Sequence, residues 1–173
     1  MEKIASFTIN HLTLEPGVYV SRKDRDSQTG AVVTTFDLRM TAPNREPVMD
    51  TLAVHALEHL GATFLRNDEE WKDRIIYWGP MGCLTGCYLI VKGRPTPEEI
   101  CPLLIRAYEF CAEYEGEVPG ANPTNCGNYL LHDLQIARYE AARYVDVLKN
   151  NPCFEYPTAE RIETDRGQIF FDS

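Results

Sequence analysis

Two histidines four residues apart, His55 and His59 in the segment HALEHL, have types and spacing that suit metal chemistry. On an α-helix, residues four apart lie on one face, so both imidazoles can be directed at one ion. Glu58, three residues after His55, borders the same face and suits a general base better than a ligand. The alternative is an amphipathic helix whose polar side carries two hydrogen-bonded histidines. A third donor elsewhere in the chain would favour the metal site.

Cys126, in the segment TNCGNY, is the candidate third donor. A loop rich in Gly, Pro and Asn precedes it, and a long helix is predicted over about 127–149. The positive end of a helix dipole favours the thiolate, which is the metal-binding form of cysteine. A His-His-Cys set would leave a fourth coordination position for water or substrate, as in catalytic sites. The alternative for Cys126 is core packing, and His132, predicted on the same helix, is interpreted as structural and not as a ligand.

Cys83, in the segment PMGCLTG, is the second candidate for chemistry. Gly82 and Gly86 would let the backbone turn sharply and approach a ligand closely. An exposed cysteine there could act as an acid/base group or a nucleophile, and the alternative is a small buried residue in a β-turn. The other cysteines are assigned to packing or are given no role: Cys87 in a strand, Cys101 and Cys111 on a helix, and Cys153.

Two β-hairpins are predicted as part of the framework. Residues 17–24 and 31–40 are rich in β-branched residues, and SQTG between them is a plausible turn. The segments RIIYWGPMGC and GCYLIVKG predict a second pair of strands, joined by a loop that contains glycine and proline.

Three helices are predicted to complete the framework. The first runs from about Val48 to Asn67, with Pro47 in its first turn and one apolar stripe formed by Ala53, Ala56, Leu57, Leu60 and Phe64. The second begins at the capping box TPEE, residues 96–99, and ends near Tyr114. With the third helix over 127–149, the pattern predicts an α+β fold in which helices pack on one face of an antiparallel sheet.

Bulk composition narrows the class of protein. The 173 residues carry a net charge of -9, which argues against a nucleic-acid-binding surface. No apolar stretch is long enough to span a membrane, and the first residues, MEKIASFTIN, lack a signal-peptide pattern. We therefore expect a cytoplasmic protein whose six cysteines stay reduced. A single domain is expected over 1–173, with its core at about 6–149 and an irregular tail over 150–173 that includes a short strand at QIFF.

Six segments occur here in the order and spacing of a known family. They are SFTINH at 6–11, TTFDLRMTAPN at 34–44, HALEHL, FLRN at 64–67, PMGCLTG, and CGNYLLHDL at 126–134. Over about residues 6–149 the chain resembles the S-ribosylhomocysteine lyase family, LuxS. The resemblance implies a LuxS-like two-layer sandwich. It also implies a lyase that moves a carbonyl along ribose and then eliminates homocysteine, leaving 4,5-dihydroxy-2,3-pentanedione, the precursor of autoinducer-2.

The resemblance also implies roles for individual residues. His55, His59 and Cys126 match the metal ligands, with Fe(II) as the usual ion and Zn or Co as substitutes. Glu58 and Cys83 match the two acid/base groups. The remaining matched residues bind substrate: Ser6, His11 and Arg39 at the sugar, and Phe7 and Arg66 at homocysteine across a subunit interface. The family forms a homodimer with both active sites at that interface.

Two other functions fit some of these residues. The pattern H-x-x-E-H is also that of inverted-motif metallopeptidases, but a peptidase would give no role to Cys83. A non-catalytic metal-binding dimer is suggested by Tyr77, which stands where the family usually has an aspartate. Turnover of S-ribosylhomocysteine, with release of a thiol, distinguishes the lyase from both.

Overall fold

The computed structural model describes residues 9–157 and two short strands in the tail. The predicted substrate residues Ser6 and Phe7 lie outside the described residues. The strands are β1 (Gly17–Arg25), β2 (Val32–Arg39), β3 (Ile75–Pro80), β4 (Gly86–Lys92), β5 (Ile162–Glu163) and β6 (Ile169–Phe170). The helices are α1 (Thr51–Leu65), α2 (Pro97–Glu113) and α3 (Leu134–Asn150). None of the described helices is long and apolar enough to cross a bilayer.

Both predicted hairpins are present in one antiparallel sheet of order β1-β2-β4-β3. The pairing of β2 with β4 sets Arg39 opposite Gly86, at the end of the sheet that leads into the Cys83 loop. The three helices pack against this sheet over one hydrophobic core, and α1 contacts β3 as well as both other helices. The predicted α+β class, an antiparallel sheet covered by helices, is confirmed.

Helix α1 begins three residues later than predicted. Asp50 is its N-cap, and the Asp50 carboxylate accepts a hydrogen bond from the Leu52 amide. Pro47 therefore precedes the helix and does not occupy its first turn, so that prediction was wrong. The predicted stripe packs into the core, except that Phe64 is half-buried, and His55 and His59 are half-buried beside it.

Helix α2 follows the prediction closely. Thr96 and Glu99 form the reciprocal capping box, Pro97 is the first helical residue, and Tyr114 is the C-cap. Cys101 and Cys111 are buried on its inner face, and Cys87 is buried in β4, as predicted.

Helix α3 begins at Leu134, seven residues after its predicted start. The N-cap is Asp133, whose carboxylate accepts a hydrogen bond from the Ile136 amide. Gly127 and Asn128 are poor helix formers, and a turn closes instead between the Leu131 amide and the Asn128 carbonyl. Cys126 and His132 consequently both lie in the loop before α3. The prediction that the helix begins directly after Cys126, and with it the placement of His132 on that helix, was wrong.

The tail contacts the sheet and contains some regular structure. The Cys153 carbonyl accepts a hydrogen bond from the Val18 amide at 2.8 Å, which attaches the chain alongside β1. A Cβ on Gly17 would lie 2.3 Å from that carbonyl oxygen, so the approach requires glycine. The expected strand at QIFF corresponds to β6, which pairs with β5.

Candidate metal centre and acid/base groups

His55 and His59 are both oriented by backbone carbonyls. The Nδ1 of His55 lies 2.9 Å from the Leu131 carbonyl oxygen, and the Nδ1 of His59 lies 2.7 Å from that of Pro119. A carbonyl only accepts, so each Nδ1 carries the proton and donates. In the neutral form of such a ring the lone pair is on Nε2, which is the tautomer that metal-binding histidines usually have.

Cys126 completes a set of three converging donors. Its Sγ lies 3.5 Å from the Nε2 of His55 and accepts a hydrogen bond from the Asn128 amide at 3.4 Å. The Cys126 amide in turn donates to the Asn122 carbonyl, which fixes the loop. The Asn128 amide is therefore the local donor to this sulfur. The predicted helix dipole plays no part, because α3 begins only at Leu134.

His132 belongs to the same cluster, although it was predicted to be structural. Its ring stacks on His55 at 4.0 Å between centroids, and its Nε2 lies 3.9 Å from the Sγ of Cys126. The donor atoms of His55, His59, Cys126 and His132 all lie within 4.8 Å of one another. Burial, followed by repulsion from the two other histidines, lowers the pKa of His132 to about 4, so its imidazole is neutral at pH 7.

The donor set fits a divalent transition metal. Ligands held about 2.0–2.3 Å from a tetrahedral ion lie roughly 3.3–3.8 Å apart, which the separation between Cys126 and His55 matches. Imidazole nitrogen and thiolate sulfur favour iron, zinc or cobalt over magnesium or calcium. His132 differs from His55 and His59 in its Nδ1, which is buried and has no hydrogen-bond partner among the described residues. It therefore lacks the outer contact that orients the other two rings.

Glu58 lies on α1 beside this cluster. Its side chain is half-buried and lines an open pocket of about 380 Å³. The other lining residues are His59, Ala62, Thr63, Pro119, Gly120 and Asn125. A carboxylate in this position can exchange protons with a molecule held at the metal centre.

Cys83 is exposed at the tip of the β3–β4 loop, so the alternative of a buried thiol was wrong. The sharp turn is made by Leu84, with φ of 60°, and not by glycine. A Cβ on Gly82 would meet nothing within 4 Å, whereas a Cβ on Gly86 would lie 2.2 Å from the Leu38 carbonyl oxygen. Gly86 thus permits close strand pairing, and not the approach of a ligand.

The surroundings of Cys83 favour its thiolate. Its Sγ lies 3.1 Å from Thr85 Oγ1 and 3.9 Å from Arg39 Nη1. Partial burial, the largest single effect, raises the pKa of Cys83, but the hydrogen bonds from Thr85 and the charge of Arg39 together hold the pKa below its ordinary value.

The remaining predicted substrate residues differ in exposure. Arg39 is 3 % exposed and lies directly behind Cys83. His11 is half-buried, with its Nδ1 2.9 Å from the Ile9 carbonyl oxygen. Arg66 follows α1 on the surface and donates to the Ile76 carbonyl at 3.3 Å.

A helix that presents two anchored imidazoles to a loop thiol, with a carboxylate on the same helix, defines an α+β protein with a candidate metal centre and an adjacent carboxylate. A sequence profile of the S-ribosylhomocysteinase (LuxS) family matches residues 4–153. A curated S-ribosylhomocysteine lyase of Clostridium acetobutylicum is 57% identical over 150 residues, which are 87% of this chain and 94% of that protein. One of Phocaeicola vulgatus is 53% identical over 163 residues, 92% of this chain and 100% of that protein. The chain belongs to the S-ribosylhomocysteinase (LuxS) family.

Proposed function

We propose that this protein is an S-ribosylhomocysteine lyase that releases homocysteine and 4,5-dihydroxy-2,3-pentanedione, the precursor of autoinducer-2. The observation that carries the proposal is the family membership of nearly the whole chain, with curated relatives of that name more than half identical. The convergence of two histidines and a cysteine supports it, because moving a sugar carbonyl needs a group that polarises oxygen. A peptidase has no comparable support, since these relatives are named as lyases.

The proposed metal ligands are His55, His59 and Cys126, and the proposed ion is Fe(II), with Zn or Co as substitutes. The carbonyl anchors on both histidines and the amide that donates to the cysteine support these three residues as the ligands. A bound divalent ion would act as a Lewis acid toward the carbonyl and hydroxyl oxygens of the sugar.

Glu58 and Cys83 are the proposed proton carriers. The sugar carbonyl must pass from C1 to C2 and then to C3, and each step removes a proton from one carbon and returns one to its neighbour. With the carbonyl at C3, Glu58 takes the C4 proton and the C5–S bond breaks. Both electrons of that bond leave with sulfur, and homocysteine departs as the thiolate. Cys83 is exposed, and its hydrogen bonds with Thr85 and the charge of Arg39 stabilise its thiolate. This thiol and the half-buried carboxylate of Glu58 are both suited to accepting and returning protons.

The direct test is to incubate anaerobically prepared, metal-loaded protein with S-ribosylhomocysteine and to titrate the released thiol. Glu58→Gln and Cys83→Ala should keep their metal and lose at least about 10²-fold in turnover, the lower range for a general acid–base group. Glu69→Gln, at an exposed position, and Cys153→Ala are the matched controls and should retain activity. Absence of thiol release from fully loaded wild-type protein would refute the lyase proposal.

The two variants should also stop at different steps. In substrate labelled with ¹³C at C1, C2 and C3, Cys83→Ala should fail in an early isomerisation and leave the carbonyl near C1. Glu58→Gln blocks elimination, so a 2-keto or 3-keto sugar should accumulate in the NMR spectrum. Near-normal thiol release by Cys83→Ala would remove this cysteine from the mechanism.

The identity of the metal has its own test. Fe(II) held by a thiolate is sensitive to oxygen, whereas Co(II) resists oxidation by air. Protein isolated without oxygen should contain iron by elemental analysis and lose activity in air over hours, whereas the Co(II)-substituted form should remain active. Equal persistence of the two forms in air would contradict the iron assignment.

Substrate is proposed to bind between two subunits. Ser6, His11 and Arg39 would hold the sugar, while Phe7 and Arg66 of one protomer would reach the homocysteine part in its partner. The exposure of Arg66 at the end of α1 supports a role between subunits. Tyr129 and Leu130, in the loop between Cys126 and His132, have exposed apolar side chains. Exposed apolar side chains of this kind support a surface that a partner subunit covers.

A mixing experiment tests the shared site. Arg66→Ala and Glu58→Gln should each be inactive alone. In a mixed dimer, the protomer that keeps Glu58 receives an intact Arg66 from its partner, so random reassortment should restore about a quarter of wild-type activity. No recovery from reassorted dimers, with their formation verified by native mass spectrometry, would contradict the shared site.

The proposed compartment is the cytoplasm. All six cysteines are free thiols, and the proposed roles of Cys83 and Cys126 require the reduced form. Cell fractionation with an antibody to the native protein should find it with cytoplasmic markers, and recovery in another fraction would contradict this assignment.

A further inference from the structure

A buried ion pair lies directly behind Cys83. Asp37 accepts two hydrogen bonds from Arg39, from Nε to Oδ1 at 3.1 Å and from Nη2 to Oδ2 at 2.6 Å. Both side chains are at most 3 % exposed. The third nitrogen of the guanidinium, Nη1, faces the Cys83 loop, where it contacts Thr85 at 2.5 Å and Cys83 at 3.9 Å. The orientation of Arg39 toward the thiol is therefore determined from behind, by Asp37.

Tyr156, in the C-terminal segment, forms a hydrogen bond with this ion pair. The Tyr156 hydroxyl donates to Asp37 Oδ2 at 3.0 Å, so that oxygen accepts from both Tyr156 and Arg39. The Tyr156 ring stacks on Tyr19 of β1, with centroids 4.6 Å apart and planes 10° from parallel. The bond between Cys153 and β1 holds the segment in place three residues earlier. Tyr156 lies beyond residues 4–153, the part of the chain that the family profile matches.

We propose that Tyr156 is a positioning residue that acts through Asp37 to hold Arg39 against the Cys83 thiol. This inference deepens the proposed function and rests on it, since it takes Cys83 as a proton carrier. A buried ion pair is stable only when its remaining lone pairs are satisfied, and Tyr156 supplies that bond to Asp37. Tyr156, which the sequence assigned to an irregular tail, thereby becomes a positioning residue for Cys83.

The expected electrostatic effect has a definite sign. A donor on Oδ2 disperses the charge of Asp37, so Arg39 keeps more of its positive field for Cys83. Without the hydroxyl, Asp37 neutralises Arg39 more completely and the guanidinium is less firmly oriented. Both changes destabilise the Cys83 thiolate, and Cys83 should ionise at higher pH.

Tyr156→Phe isolates the hydroxyl because the ring can still stack on Tyr19. The measurement is the rate of iodoacetamide alkylation of Cys83 against pH in metal-loaded, full-length protein. Fragment mass spectrometry of the tryptic peptide 75–92 separates Cys83 from the buried Cys87 in that peptide. Tyr139→Phe, at a tyrosine 62% exposed on α3, is the matched control.

We expect the alkylation midpoint to rise by about half a pH unit in Tyr156→Phe and to stay unchanged in Tyr139→Phe. kcat should fall at low pH and recover as pH rises, with unchanged metal content. An unchanged midpoint, or an equal shift in both variants, would overturn the inference. Alkylation needs no turnover, so a shift seen in protein that releases no homocysteine would support the positioning role while the proposed function failed.

Discussion

Thr85 offers a direct way to weaken the stabilisation of the Cys83 thiolate. Its Oγ1 accepts from Arg39 Nη1 and lies 3.1 Å from the Cys83 sulfur, so its own proton is free to donate to that sulfur. Thr85→Val removes the hydroxyl and nearly preserves the shape of a side chain that is 4% exposed. The thiolate should therefore lose one donor while the loop keeps its packing.

The size of the effect follows from the energy of one hydrogen bond. A bond to a charged group contributes about 1.5–3 kcal/mol, and the exposure of Cys83 reduces this to about 1 kcal/mol through solvent screening. Since one pKa unit corresponds to about 1.4 kcal/mol, the pKa of Cys83 should rise by about 0.7 unit. Below that pKa, the thiolate fraction, and with it kcat/KM, should fall about fivefold.

The assays are the pH profile of thiol release and the pH dependence of Cys83 alkylation. Thr34→Val is the matched control, because Thr34 is also buried on the sheet and loses one hydrogen bond, to the Gly93 carbonyl. Both variants should lose about 1–2 kcal/mol of unfolding free energy, yet only Thr85→Val should shift the two profiles. Identical profiles for Thr85→Val and wild-type protein would refute the stabilisation of the thiolate by Thr85.

Three further changes test the metal cluster and the sheet. His59→Ala should bind much less than one metal per chain by elemental analysis and unfold at lower temperature, since metal binding and folding are linked; full occupancy would place the site elsewhere. His132→Ala should keep its metal, because His132 lacks the carbonyl anchor of the other histidines, and loss of metal would make it a ligand. Gly86→Ala should lose about 1–3 kcal/mol of unfolding free energy, measured by denaturant titration, because its Cβ would clash with the Leu38 carbonyl. An unchanged unfolding free energy would mean that β2 and β4 can move apart at this point without cost.

Local patterns in the sequence were sufficient for the elements and for the pair of histidines. The i, i+4 spacing of His55 and His59 places them on one face of any helix, and the Thr96–Glu99 capping box is complete within four residues. β-branched runs and turn residues identified both hairpins, because a hairpin forms between neighbouring segments.

Contacts between distant residues were decided only by the tertiary structure. His132 was assigned to a helix because the seven-residue delay of α3 depends on the Asp133 cap and the turn at Asn128, which compete with a continuous helical pattern. Nothing local to Tyr156 indicates a partner 119 residues away, since Asp37 reaches it only after the tail has joined the edge of the sheet. Spacing along the chain determines which side chains share a face, but the packing of whole elements determines which faces meet.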